Sequence, residues 1–323
     1  MRFSPLIALA CVLAFVAGCA GGPSATAPTG SGSCATAPDP GTPAGWGPPP
    51  PPAPDVIPYL INGSAEMTCG PNRLLFVFLD ARTNAPIADP KRTAKIAFYN
   101  LGRDPSKPTA TTDTTFVWAI ENERGDYIAN VDFPEAGIWG AEITTMAEIG
   151  GEKVRMTFQV SASSSVVRVG QAAPATKTPT AADVGGDLTR ISTDPKPDPA
   201  LYKVSVTDAL ARHQPFLVAF ATPKFCVSAQ CGPTLDRLKP FVAKYPGVAF
   251  IHVEPYQLEF KGGQLQPVLT GNPPNLTPTD LTNRWGLLSE PWVFVVDRDG
   301  IVRGSFALIF SDAELSAALD KVR

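Results

Sequence analysis

The sequence predicts two folded domains in series, an all-β sandwich and then an α/β domain, and three observations predict it. Between residues 56 and 165, short apolar segments alternate with turn clusters and show no helical period. Beyond residue 166 the pattern changes to β-α-β-α-β-β-α, opening on a continuous apolar run. Ahead of each region lies a stretch of Pro, Gly, Ser, Thr and Ala that offers little to bury. A chain of 323 residues, 44% hydrophobic and 18% charged, is long enough for two such domains. Its formal net charge of −3 leaves no basic footprint, so nucleic acid is excluded as a partner.

Residues 1–18 carry one charge, Arg2, then the apolar run 6–16 and small residues, which is the layout of a signal peptide and too short for a membrane span. The segment ends in Val16-Ala17-Gly18-Cys19, which resembles the lipobox of bacterial lipoproteins. That resemblance implies a diacylated Cys19 as the mature N-terminus, held stably because several acyl chains meet the threshold for anchoring. The expected location is a bacterial membrane, with the lipid-anchored protein facing outside the cytoplasm. Ordinary cleavage with Cys19 incidental is the alternative.

With Cys11 removed and Cys19 lipidated, four cysteines remain, Cys34, Cys69, Cys226 and Cys231, an even number in a compartment that permits disulfides. Residues 19–55 read as an extended, partly stiff stalk ending in Pro48 to Pro52, with Trp46 an incidental exposed aromatic. Cys34 with Cys69 is a candidate structural pairing that would pin the stalk to the first domain, although spacing alone does not decide it.

Strands are expected over 73–79, 95–99, 116–120, 126–131, 138–144 and 154–160, separated by turns such as Glu123-Arg124-Gly125. Such a series in about 100 residues indicates an antiparallel sandwich. The stretch from Gly125-Asp126-Tyr127 through Ala136-Gly137-Ile138-Trp139 resembles the late strands of immunoglobulin-like domains of exported proteins. The acids Asp80, Asp89, Glu135 and Glu142 are scattered and no His is present, so the region at 56–165 reads as a spacer or partner-binding module.

The second region opens on Gly170-Gln171-Ala172-Ala173-Pro174 and then a short helix at 206–211. The apolar run 215–221 suits a strand buried on both faces, and Cys226 and Cys231 follow at once. A helix at 234–245, a strand at 248–253, a helix at 279–286 and strands at 292–297 and 301–306 come next. Ser311-Asp312-Ala313-Glu314 is a capping box that opens the last helix. Residues 166–323 resemble the thioredoxin-like superfamily, membrane-tethered thiol-disulfide oxidoreductases above all. The resemblance is carried by the strand into Cys226-x4-Cys231 and by Glu290-Pro291-Trp292 through Asp297-Arg298-Asp299-Gly300. It implies that Pro291 is a cis proline facing the cysteines, that Cys226 is the nucleophile, and that Cys231 resolves.

The spacing departs from the family, whose members mostly place two residues between the cysteines. In a regular helix, positions five apart lie roughly 8 to 9 Å from each other, beyond the ~7 Å limit of a disulfide. Cys226 is therefore expected in the loop ahead of the helix, with Gly232-Pro233 in the first turn. The implied partners are thiols or disulfides of exported proteins, including haem-attachment cysteines, with a membrane thiol reductase as a further candidate. No cofactor and no metal is expected, His213 and His252 being read as structural. Two other readings stay open. Cys-x4-Cys also occurs in peroxiredoxin-like thiol peroxidases, although Pro223 stands where their Thr would be and Glu290-Pro291 where an Arg segment would be. A non-catalytic binding lipoprotein with a structural disulfide is the other.

Overall fold

Alternating apolar residues build the first region into strands, seen in a computed structural model that describes residues 34–48, 52–61, 67–148 and 150–323. The signal peptide and Cys19 lie outside the described residues. The strands are β1 (Val56–Leu60), β2 (Gly70–Asp80), β3 (Pro86–Ile87), β4 (Thr93–Asn100), β5 (Ala110–Asp113), β6 (Thr115–Ile120), β7 (Arg124–Phe133), β8 (Gly137–Met146) and β9 (Gly151–Val160). They form two antiparallel sheets, β1-β2-β7-β6 with β3 beside β2, and β5-β4-β8-β9. Inward residues Phe76, Tyr127 and Phe133 of one sheet meet Phe98, Trp139 and Phe158 of the other in one core. Each such side chain contributes on the order of 2 to 3 kcal/mol by leaving water.

The stalk reading needs correcting for its described part. Residues 35–37 pair with Ala136 through backbone hydrogen bonds, and Ala37 is buried. Trp46 is not incidental: its ring meets Tyr99 edge-on at 5.0 Å, Arg155 lies over it at 4.8 Å, and its Nε1 donates to the Pro105 carbonyl at 3.0 Å. Gly140 provides the seat, since a side chain there would collide with the indole. Cys34 and Cys69 are disulfide-bonded with their Cα atoms 6.3 Å apart. Trp46→Ala is expected to lower unfolding free energy by about 1 to 2 kcal/mol, read from urea melts, because it removes an aromatic pair and a cation-π contact.

The second region holds α1 (Val206–Ala211), β10 (Phe216–Phe220), α2 (Cys231–Lys244), β11 (Ala249–Val253), β12 (Leu258–Lys261), β13 (Gln264–Pro267), β14 (Leu269–Thr270), β15 (Asn275–Leu276), α3 (Asp280–Arg284), β16 (Trp292–Val296), β17 (Val302–Ala307) and α4 (Asp312–Asp320). Four strands make a sheet of order β11-β10-β16-β17, in which β10 runs parallel to β11 and antiparallel to β16. Leu217 and Ala219 face α2 and α4, while Phe216, Val218 and Phe220 face α1 and α3. That two-sided burial is why residues 215–221 are uninterrupted by polar side chains. The segment 170–173 adds backbone hydrogen bonds along β17, and the Ser311–Glu314 capping box is formed. Between β11 and α3, where the sequence reading assigns no element, two short hairpins β12-β13 and β14-β15 are inserted.

The two regions are packed together. Leu75, Val117, Ala119 and Ile128 point away from the sandwich core and cover Leu308 and Ile309, which follow β17. Arg73 Nε donates to Glu314 Oε1 at 2.6 Å and its Nη2 to the Ile309 carbonyl at 2.7 Å. Arg237 Nη2 donates to the Trp118 carbonyl at 2.8 Å. Among the described residues, no helix is long and apolar enough to cross a membrane.

Candidate active site

β10 is wholly buried, so its C-terminal end is a rigid origin for the loop 221–230 that carries the first cysteine. Phe225 N bonds the Thr222 carbonyl to turn the chain, and Ala229 takes a left-handed φ of 59° that brings it back toward the start of α2. A non-glycine residue pays on the order of 1 to 2 kcal/mol for that conformation. The result is that Cys226 lies ahead of the helix and Cys231 at its first position, bonded to each other with Cα atoms 6.0 Å apart.

The Cys231 backbone N–H donates to Cys226 Sγ at 3.2 Å. It is an amide of the first helical turn with no partner inside the helix, the kind of group that stabilises a thiolate when the bond is reduced. Ser228 Oγ lies 3.3 Å from the same sulfur, accepts from Gln230 N and donates to the Glu290 carbonyl. Cys231 is fully buried, and Cys226 is half-buried at the mouth of the site.

Glu290 is the residue that the sequence reading did not assign a role. It is 5% exposed, precedes Pro291 through a cis peptide bond, and brings a carboxylate oxygen within 4.8 Å of both sulfurs. Val227 N donates to Oε1 at 3.3 Å, and the Tyr256 hydroxyl donates to Oε2. Burial holds the Glu290 carboxyl above the ordinary carboxylate range, opposed by those two donors. Burial and Glu290 together hold the Tyr256 hydroxyl above its ordinary range. Pro291 offers its carbonyl to Leu308 N at 2.7 Å. The only sequence signal for Glu290 is an acid fixed between an apolar strand and a turn, a poor place for a solvated charge.

The site thus unites Cys226, Cys231 and Glu290, with Pro291 next to Glu290 in the chain, while Cys34 and Cys69 lie in the sandwich. Two thiols and a carboxylate would also suit a thiophilic cation once reduced, whereas the bonded sulfurs are not ligands. His252 is buried elsewhere, between the Tyr202 hydroxyl at 2.6 Å and the Ala221 carbonyl at 2.9 Å, and His213 is exposed near the Arg298 carbonyl. Arg124 reaches the loop but donates to the Ser228 carbonyl, not to a sulfur.

The chain matches no family model and no curated protein sequence. Among solved structures it is similar to a chain from Thermotoga maritima provisionally assigned as a superoxide reductase, at 9% identity over 33% of this chain and 83% of that one, with a TM-score of 0.20. That likeness is too slight to bear on fold or chemistry.

Proposed function

We propose that this protein is a membrane-anchored, extracytoplasmic thiol-disulfide oxidoreductase of thioredoxin-like type, preceded by an immunoglobulin-like sandwich. The observation that carries the reading is the helix-start amide of Cys231 donating to the Cys226 sulfur, with the Glu290 carboxylate beside both sulfurs. The four-stranded order with helices on both faces supports the thioredoxin-like assignment. The lipobox ending at Cys19 supports the anchor.

In the reduced protein, the Cys226 thiolate attacks one sulfur of a partner disulfide, forming a mixed disulfide as the partner's other sulfur leaves as thiolate. Cys231 then gives its proton to the Glu290 carboxylate and attacks Cys226 Sγ, which expels the partner's second sulfur. The partner has gained two electrons, and the Cys226–Cys231 bond has formed. Exported protein disulfides are the substrate class, and a membrane thiol reductase would return the two electrons. Val227, 87% exposed beside Cys226, and Leu288, 60% exposed ahead of Glu290, give the mouth apolar side chains suited to a polypeptide.

The test compares two oxidants on the reduced full chain. A model peptide disulfide is expected to be reduced through Cys226, with hydrogen peroxide reacting no faster than with an ordinary thiol. Rapid peroxide consumption with no disulfide exchange would instead assign a thiol peroxidase. A pair inert to both would assign a binding lipoprotein with a structural disulfide.

A further inference from the structure

The loop between the cysteines is held from outside its own domain. Arg124, Asp126 and Ile128 alternate along β7 with the inward Tyr127 and Ala129, so they share the face that meets the second region. Arg124 Nη1 donates to the Ser228 carbonyl at 3.3 Å, and Asp126 Oδ2 accepts from Gln230 Nε2 at 3.4 Å. Ser228 and Gln230 are two of the four residues separating Cys226 from Cys231.

The contact between Asp126 and Gln230 is buried and incompletely satisfied. Asp126 and Gln230 are both 0% exposed. Asp126 Oδ1 and Gln230 Oε1 have no hydrogen-bond partner, and Arg124 Nε stands 3.9 Å from Asp126 Oδ1. A carboxylate with so little solvation projects its charge through a low local dielectric. The groups acting on Asp126 are Arg124 on its own strand, Gln230 of the loop and Arg73 on β2. Burial outweighs their pull and raises the Asp126 carboxyl to about 6, so it is ionised in mildly alkaline solution.

We propose that strand β7 of the sandwich is part of the redox site, with Arg124 and Asp126 acting as positioning residues that set the reduction potential of the Cys226–Cys231 pair. The inference rests on the oxidoreductase reading above. Reduction breaks the S–S bond, adds two electrons and leaves a thiolate at Cys226, so charges held against the loop between the cysteines, through Ser228 and Gln230, enter the equilibrium. The Asp126 carboxylate opposes the thiolate and favours the disulfide. The Arg124 guanidinium favours the thiolate and the reduced form. The sandwich then tunes the chemistry of the domain beside it, in addition to any role as spacer.

The experiment equilibrates the full chain with mixtures of dithiothreitol and its cyclic disulfide at about pH 8, where thiolate forms readily. Each dithiol that closes its ring supplies the two electrons taken up by the protein disulfide; of its two protons one goes to Cys231 and the other to solvent, since Cys226 is left as thiolate. Alkylation and mass mapping of the peptide holding Cys226 and Cys231 keep the Cys34–Cys69 bond out of the readout. Asp126→Asn is expected to shift the equilibrium about tenfold toward the reduced pair, which is about 30 mV for a two-electron couple. Arg124→Gln is expected to shift it at least about threefold the other way. A merely structural brace would move both variants in the same direction, and that result, or no movement in either, would overturn the inference while leaving a titrating wild-type pair as an oxidoreductase. A wild-type pair that stays oxidised at every poise would overturn both. Arg124 is 30% exposed, so should Asp126→Asn fail to fold, Arg124→Gln is compared with the charge-retaining Arg124→Lys, which is expected to stay near the wild-type equilibrium; an equal shift in both would overturn the inference.

Discussion

Cys231→Ser is expected to stop turnover almost completely while leaving the first chemical step intact. Cys226 keeps its place in the loop and its hydrogen bond from the residue 231 amide, which is a backbone group and survives the substitution. It can therefore still attack a partner disulfide, but the buried thiol that would expel the partner is gone. Steady-state activity should fall on the order of a thousandfold or more. Non-reducing gels of membranes carrying the variant should display a covalent adduct that dithiothreitol releases. Cys226→Ser should give neither activity nor adduct. An adduct that forms through Cys34 or Cys69, or full activity in Cys231→Ser, would place the chemistry elsewhere.

Glu290→Gln is expected to give the second largest effect, and its signature is a change in pH dependence. The carboxylate accepts the Cys231 proton only when it is itself ionised, and burial raises the pH at which that happens. The resolving rate of the native protein should rise with pH through the raised Glu290 value. In E290Q that limb should vanish, and the rate at about pH 7 should fall on the order of a hundredfold. It should recover only where the thiol ionises by itself, above about pH 8.5. The stability argument has the opposite sign. A carboxyl whose folded-state pKa is raised favours the folded state when protonated, and that advantage is lost as pH rises through the raised value. E290Q should accordingly be no less stable than the native chain in alkaline solution, and denaturant melts there would separate lost rate from lost fold. An unchanged pH–rate profile for the single-turnover resolving step would remove Glu290 from the mechanism.

Much of the architecture was legible because burial leaves a signature in local sequence. Residues 215–221 suit a strand covered on both faces, and the capping box at Ser311–Glu314 marks the start of the last helix. The disulfide limit put Cys226 outside the helix, where it is found, although the helix begins at Cys231 and accommodates Pro240 within it. What escaped notice depends on contacts distant in sequence. Asp126 and Gln230 are 104 residues apart, and nothing local marks either as an interface group. The hairpins inserted at 258–276 are short and rich in Gly, Pro and polar residues, so they lack the alternation by which strands are recognised. Leu74 to Leu79 is apolar without a break, which in a sandwich strand means that both faces are covered.

The Cys34–Cys69 bond, with residues 35–46 laid on the sandwich beyond it, would alter how far the protein could range from the proposed anchor. Were residues 19–55 a free leash, a lipid on Cys19 would permit the folded mass to roam up to roughly 120 Å, the contour of about 36 extended residues. Fastened at Cys34, only about 15 residues would separate the proposed lipid from the fold, a contour ceiling of roughly 50 Å. The working radius shrinks more than twofold, and the volume patrolled shrinks roughly with its cube. Substrates would then be confined to proteins emerging from, or resident in, the layer immediately above the bilayer. Reduction of this one bond would lengthen that reach only as far as residues 35–37 also left Ala136 and Trp46 let go of Tyr99 and Arg155.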